Sequence, residues 1–299
     1  MPYTTPFTFN SHPPIILLLI LLFVAYPITL TVTVRRRASR GASTRTYRGS
    51  LFKLGLNNAS KQQIVCFYGG VLLGALSLYW PLGDIARSYS LFVYLVSNSI
   101  LALIATPLVL IGLPKWFLVE ITRAKPIDWV LRHCARAVTA TVLFSFTMIT
   151  SMLPTVVEWE SISTITWDLV HILIVLSASI MWMTGLNLLP GVRRISAAGR
   201  VGFFFAQSLL PSFPAVVLLF AKRSLYRPYL FEAHHLGINP VTDQQLAGGL
   251  VKLISILVFW SVAGIILAKA SKSNDLGIES EPITWDDVER EFQRSTPHR

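Results

Sequence analysis

The chain alternates long hydrophobic runs with shorter polar segments. Seven runs, each near the ~20 residues that a membrane-spanning helix needs, occupy residues 14–34, 62–80, 88–113, 136–157, 164–187, 201–221 and 243–268. The ~30 Å hydrocarbon core of a bilayer can be crossed by an α-helix of this length. The pattern therefore predicts an all-α, polytopic membrane protein with seven transmembrane helices.

The polar segments divide the chain into four parts. Residues 1–34 are predicted to form an outer N-terminus and the first helix, 35–61 a basic cytoplasmic loop, 62–268 a six-helix membrane core, and 269–299 a cytoplasmic tail. The tail contains the segment TWDDVEREF, whose spacing predicts a short amphipathic helix. This helix can dock on a partner, dock on the inner face of the protein, or stay partly solvated.

Composition and charge support this topology. Hydrophobic residues make up 53% of the chain and charged residues only 14%, which is typical of a membrane protein. Most Lys and Arg residues fall on alternate polar segments, and the positive-inside rule makes those segments cytoplasmic. The N-terminus is then outside and the C-terminus cytoplasmic. The net charge of +11 follows from this topology, so no nucleic-acid partner is needed to explain it.

Other common classes of protein are disfavoured by the sequence. The first run has no basic residues before it and no A-x-A site after it, so it is expected to remain as a helix rather than to be cleaved as a signal peptide. Cys66 and Cys134 are far apart and form neither a disulfide framework nor a CxxC copper motif. No phosphate-binding glycine loop, HExxH motif or paired nucleophile and base is present, so we expect no enzyme.

The last hydrophobic run begins with three polar residues. Asp243 suits a helix N-terminus, and the amides of Gln244 and Gln245 can reach neighbouring helices. The small residues 247–249 then allow another helix to approach closely. This end of the helix is predicted to make helix contacts.

Two features concern the membrane interior. Lys252 lies nine residues into the last predicted helix, ~14 Å along its axis, where a charged group needs a partner or a water-lined cavity. Asp168 is one candidate partner. Pro211 and Pro214 are expected to kink the sixth helix. These features also suit a small transporter or channel.

Candidate metal ligands occur in the fourth and fifth predicted helices. Met148 and Met152 are four residues apart and share a helix face; thioethers bind Cu(I), although two methionines can equally fill a gap in the core. Asp168 precedes His171 by three residues and can orient its imidazole, although such a pair is also common in purely structural roles. Because these two helices run in opposite directions, Met152 and His171 are expected at the same, outer end, together with Asp243.

Several motifs occur in a characteristic order. They are Pro81-Leu82, the string Pro107, Gly112 and Pro114, then Met152-Leu153-Pro154, His171, Trp182, Pro190 and the DQQLAG sequence from Asp243. In this order they resemble the caa3-type cytochrome c oxidase assembly factor family (CtaG) over about four fifths of the chain. Most of the histidines usual in that family are absent, and the chain resembles a divergent member.

The resemblance implies a multi-pass protein of the bacterial plasma membrane that takes part in the biogenesis of a haem–copper cytochrome c oxidase. The expected partners are oxidase subunits and the lipid bilayer. The ligand hypothesis is transient Cu(I) between Met148, Met152 and His171 at the outer mouth, with Asp243 and the two glutamines holding the neighbouring helix. The alternative is a small transporter or channel, although the two halves show no convincing internal repeat.

Overall fold

The computed structural model describes residues 24–35, 59–79, 82–115, 117–118, 129, 131, 133–188, 194–230, 237 and 239–275. Most of the basic loop and the predicted tail helix lie outside these residues. Within them, the regular elements are helical, which confirms the all-α prediction for the part of the chain described.

The principal helices are numbered here in chain order. They are α1 (24–35), α2 (Lys61–Leu78), α3 (Leu82–Ser88), α4 (Leu91–Ile100), α5 (Thr106–Gly112), α6 (Ala137–Ser151), α7 (Pro154–Ile162), α8 (Thr164–Gly185), α9 (Ala197–Leu209), α10 (Phe213–Phe220) and α11 (Pro240–Asp275). A π-helical segment, Leu101–Ala105, joins α4 to α5.

Several helical segments in the described ranges are long and apolar enough to cross a membrane. They are Lys61–Ser88, Leu91–Gly112, Thr164–Gly185, Ala197–Phe220 and Pro240–Lys272. The pair α6 and α7 makes a sixth if it is counted as one bent span. The described residues include only the end of the first predicted run, so the count of seven and the orientation of the termini stay predictions.

The fourth predicted span is not one continuous helix. Helix α6 ends at Ser151, and α7 leaves it at an angle of 67°. Leu153 is extended because it precedes Pro154, and the backbone N–H groups of Met152 and Leu153 bond to carbonyls only three residues back (each 3.1 Å). The prediction of an unbroken helix over 136–157 was therefore wrong, and α7 instead folds in and buries Val157 and Glu160.

The sixth span is interrupted where its prolines predict. Helix α9 ends at Leu209, and α10 begins at Phe213 with Pro214 in its first turn. Proline has no N–H to donate, so the preceding turn cannot continue as a regular helix. The helix predicted to kink at these prolines is interrupted there.

Close helix contacts use glycine and a π-helical turn. A Cβ on Gly70 would lie 2.8 Å from the carbonyl oxygen of Ala105, so α2 packs directly on the π-helical segment. The π-helical segment in turn presents the carbonyl of Ala102 to Trp182, whose Nε1 donates to it at 2.9 Å. Trp182 is the centre of the larger apolar core, where it stacks on Phe259 and packs against Phe204.

Successive spans run in opposite directions and bring particular residues to one end of the bundle. The end of α6, the beginning of α8 and the beginning of α11 meet there, and the segment 221–230 packs across them. A second apolar cluster fills this end and includes Tyr94, Met152, Trp167, Tyr226 and Ala247. The candidate site lies in this cluster.

Candidate functional site

His171 lies near the beginning of α8 and is almost fully buried, with 4% of its surface exposed. Its ring packs on Trp167 at 4.1 Å between centroids, and Nδ1 lies 2.8 Å from the Trp167 carbonyl oxygen. A carbonyl can only accept, so Nδ1 carries the proton. Nε2 of the neutral ring therefore keeps its lone pair, and it has no hydrogen-bond partner among the described residues. A buried imidazole nitrogen in this state can bind a metal ion.

Glu160 is the carboxylate that lies beside His171. It is 1% exposed on α7, and its Oε2 lies 3.8 Å from Nδ1 of His171. The Tyr94 hydroxyl is within hydrogen-bond distance of both Glu160 Oε1 and the Ser151 carbonyl, at 2.9 Å each. Oε2 makes no hydrogen bond within the described part of the chain. Glu160 therefore lies where α4, α6, α7 and α8 meet.

The sequence reasoning missed Glu160, because the fourth predicted helix ended at 157 and the fifth began at 164, so that Glu160 fell between them. A signal was present in the chain. Pro154 is a favourable first residue for a new helix, and Val157 and Glu160 are three residues apart on one face of it. The unbroken helix predicted over 136–157 hid this second helix.

Asp168 does not have the position predicted for it. Its side chain is exposed, whereas His171 is buried. The residue of α8 that contacts His171 is Trp167, one full turn earlier, and Glu160 takes the place predicted for Asp168 beside the imidazole. Spacing by three residues puts two side chains near one another, but only packing decides which one faces the interior.

The two candidate methionines have different surroundings. Met152 is the C-terminal cap of α6 and is buried in the same cluster as Tyr94 and Trp167. Met148 is also buried, one turn deeper, in the core cluster that contains Ile174. His171 has ring contacts with both Tyr94 and Trp167, which belong to the same cluster as Met152.

The donor set at this end of the bundle is unusual for a metal site. Within the described ranges, no three His, Cys, Asp or Glu side chains are grouped so that they could hold a metal ion. An ion bound at His171 would therefore need thioether donors, which suit a soft ion such as Cu(I). Met152 and Met148 carry thioethers, whereas the hard oxygen donors that Mg²⁺ prefers are not grouped around His171 in the described residues.

Tyr226 and Tyr229 anchor the segment 221–230 across this end. The Tyr226 hydroxyl donates to the carbonyl of Met152 at 2.6 Å, and the Tyr229 hydroxyl donates to the carbonyl of Ala86 at 2.7 Å. Burial raises the pKa of both tyrosines, and for Tyr229 the negative charges of Glu160 and Asp243 raise it further. Both hydroxyls therefore remain hydrogen-bond donors at physiological pH.

Asp243 connects α11 to α4. It is 3% exposed, and it accepts hydrogen bonds from the Ser90 hydroxyl at 2.7 Å and the Phe92 backbone N–H at 3.2 Å. The first N–H groups of a helix have no partner within the helix, and a carboxylate is stabilised there. Asp243 therefore caps a neighbouring helix, while Asn239 accepts from the N–H of Val241 at the beginning of α11.

The two glutamines fasten the segment 221–230 to the same helix. Gln244 accepts from the N–H of Leu225 at 2.9 Å and donates to the carbonyl of Arg223 at 3.3 Å. Gln245 donates to the carbonyl of Ala221 at 3.0 Å. The three polar residues together join α4, α11 and the segment that carries Tyr226. They hold the site without lying next to His171.

Lys252 has its partners at the break in the sixth span. Its Nζ donates to the carbonyl of Ser208 at 2.9 Å and the hydroxyl of Ser212 at 3.0 Å. The carbonyls of a helix C-terminus carry partial negative charge, so a lysine is favourable at the end of α9. Asp168, the candidate partner from the sequence, is not needed.

Comparison with known proteins identifies one family. The profile of the family described as cytochrome c oxidase caa3 assembly factor matches residues 44–273, which include all the site residues described above. Among curated proteins and among solved structures, nothing matches the chain significantly. Since the family match covers most of its length, the chain belongs to the cytochrome c oxidase caa3 assembly factor family.

Proposed function

We propose that this protein is a membrane-embedded assembly factor for a haem–copper cytochrome c oxidase, and that it handles Cu(I) at the His171 site. Membership of the family supports the assembly role. The observation that carries the copper proposal is the buried Nε2 of His171, which has no hydrogen-bond partner in the described chain. A polar atom that is buried without a partner is costly unless a water molecule or a ligand pairs with it.

The neighbouring groups support this ligand. The Nδ1–H bond to Trp167 orients the ring, as a backbone carbonyl commonly does for a metal-binding histidine. Met152 offers a thioether in the same cluster, and Met148 on the preceding turn of α6 is the third candidate donor. Copper would be the cargo of this site, and the protein would supply two kinds of soft or intermediate donor.

The site is proposed to face the outer side of the bacterial plasma membrane. Most of the basic residues of the described helices are at the other end of the bundle. They include Lys61 at the start of α2, Lys115 after α5, Arg136 before α6, Arg200 in α9, and Lys269 and Lys272 in α11. The positive-inside rule makes that end cytoplasmic. Copper at His171 would then be available where the dinuclear copper centre of the oxidase is assembled.

The test is Cu(I) stoichiometry of the purified protein in competition with a chromogenic chelator. Met152→Leu and His171→Asn are compared with Met181→Leu, which changes a buried methionine of the Trp182 core instead. We expect one copper per chain in the wild type and in Met181→Leu, and loss in the other two. Absence of copper from the wild type, or equal binding by all four proteins, would refute the copper proposal.

The features that suggested transport have structural explanations. Lys252 is held at the C-terminus of α9, and the break beside it follows from two prolines. Asp168 is exposed at the start of α8. We therefore propose assembly rather than transport. Proteoliposomes that carry a copper-sensitive dye separate the two functions, because the assembly proposal predicts no copper flux without a partner.

A further inference from the structure

Burial of the Glu160 side chain is energetically unfavourable. A charged group in an apolar interior is expensive unless an opposite charge or several hydrogen bonds compensate it. The Tyr94 hydroxyl lies within hydrogen-bond distance of Oε1, at 2.9 Å, but Oε2 has no hydrogen-bond partner in the described ranges. Glu158, two residues earlier on the same helix, is only half-buried. The bend before α7 thus brings one of its two acids into the bundle and leaves the other at its edge.

The groups around Glu160 come from several elements. Tyr94 of α4 lies beside Oε1, and His171 of α8 lies beside Oε2. Tyr229 of the segment 221–230 is close enough to interact with Glu160 electrostatically. Arg87 of α3 lies on the same side, and its positive charge attracts Glu160 without a direct contact. Its guanidinium donates to the Thr164 hydroxyl at 3.1 Å and lies over the Trp167 ring. Among the residues described, no cationic side chain forms a salt bridge with Glu160, apart from the contact with His171.

We propose that Glu160 is the counter-charge of the Cu(I) site, and this inference rests on the proposed function. Imidazole and thioether donors are neutral, so Cu(I) held by His171 and methionine would carry a net charge of +1 into a low-dielectric interior. The carboxylate beside His171 makes the loaded site neutral. The inference adds to the ligand set a positioning residue that does not itself need to touch the ion.

Asp168 and Asp243, the two acids singled out from the sequence, are placed differently from Glu160. Asp168 is exposed on the outer surface of the helix bundle. Asp243 is buried, but its two oxygens are engaged by Ser90 and by the N–H of Phe92. Glu160 alone among these three combines burial, contact with His171 and a free oxygen.

The charge balance also sets which ion the site prefers. A single carboxylate neutralises a monovalent ion, whereas a divalent ion would leave the buried site with one uncompensated positive charge. The site should therefore favour Cu(I) and its analogue Ag(I) over Cu(II) and Zn(II). This preference adds to the softness of the thioether donors.

The experiment compares Glu160→Gln with Glu158→Gln, which makes the same chemical change on the same helix away from the interior. Glutamine keeps an oxygen for the Tyr94 hydroxyl, so the fold is expected to persist. Affinities for Cu(I) and Ag(I) are measured by chelator competition, and the shift of Tm on addition of Ag(I) is measured beside them. We expect Glu160→Gln to lower the affinity for both ions about 10- to 100-fold, as for other groups that support a metal-binding histidine. The affinities of Glu158→Gln should equal those of the wild type.

The outcomes separate this inference from the proposed function. Binding by the wild type with equal affinity in Glu160→Gln would overturn the counter-charge and leave the copper site standing. No binding by the wild type would overturn both. A purely structural role would lower the Tm of the unloaded protein without changing the shift that Ag(I) causes. If Glu160→Gln does not fold, Glu160→Asp keeps the charge, and retention of most of the affinity is expected; affinity as low as that of His171→Asn would refute the proposal.

Discussion

Removal of the Asp243 carboxylate should loosen the bundle at the end that carries the site. Asp243→Ala deletes the acceptor of two hydrogen bonds, from the Ser90 hydroxyl at 2.7 Å and the Phe92 N–H at 3.2 Å. A hydrogen bond to a charged group contributes about 1.5–3 kcal/mol. The two together give about 3–6 kcal/mol as an upper range, and the longer bond to Phe92 puts the expectation in its lower half.

The assay is equilibrium unfolding in mixed micelles, with the free energy of unfolding compared between variants. Asp243→Asn keeps one neutral acceptor and should lose about half as much as Asp243→Ala. Asp168→Ala is the matched control, because this exposed aspartate should change stability by no more than about 0.5 kcal/mol. If Asp243→Ala is as stable as the control, the cap on α4 does not stabilise the bundle and the reasoning is refuted.

Three further changes test other contacts of the fold. Gly248→Leu should destabilise the protein by at least about 1–3 kcal/mol, because even a Cβ would clash with the Ala215 carbonyl in α10; thermal unfolding beside Gly264→Leu, where a Cβ meets open space, checks this. Lys252→Met should cost about 1–3 kcal/mol by leaving helix carbonyls unpaired, and an unchanged Tm would contradict it. Tyr226→Phe should cost about 1 kcal/mol and reduce the loss of stability at alkaline pH. The pKa of Tyr226 is raised by folding, so its contribution is present below the unfolded pKa of about 10 and falls as pH rises towards the folded value; a pH profile identical to that of the wild type would refute it.

The hydrophobic pattern predicted most of the helices because a bilayer fixes their length. Runs near 20 residues had to be helical and had to alternate in direction, and this alternation is enough to place Met152, His171 and Asp243 at one end of the bundle. The prolines of the sixth span also predicted its break. Helix length, helix direction and the site of a proline interruption can all be predicted from the types of side chain alone.

The rest depends on packing that the sequence does not state. Glu160 lies just beyond the end of a predicted helix, and only the 67° bend after α6 turns it inward. The choice between Trp167 and Asp168 as the neighbour of His171 depends on which face of α8 is covered. The partners of Lys252 include a backbone carbonyl, and every residue of the chain has one, so no residue type could identify it.

The central claim is that the protein delivers copper to a haem–copper oxidase through the His171 site. Its most direct test is the copper content of the oxidase purified from cells in which the only copy of this protein is the wild type, His171→Asn or Met181→Leu. The account predicts full copper with the wild type and with Met181→Leu, and oxidase that lacks copper, or fails to accumulate, with His171→Asn. Fully loaded oxidase at normal levels in the His171→Asn cells would contradict the claim.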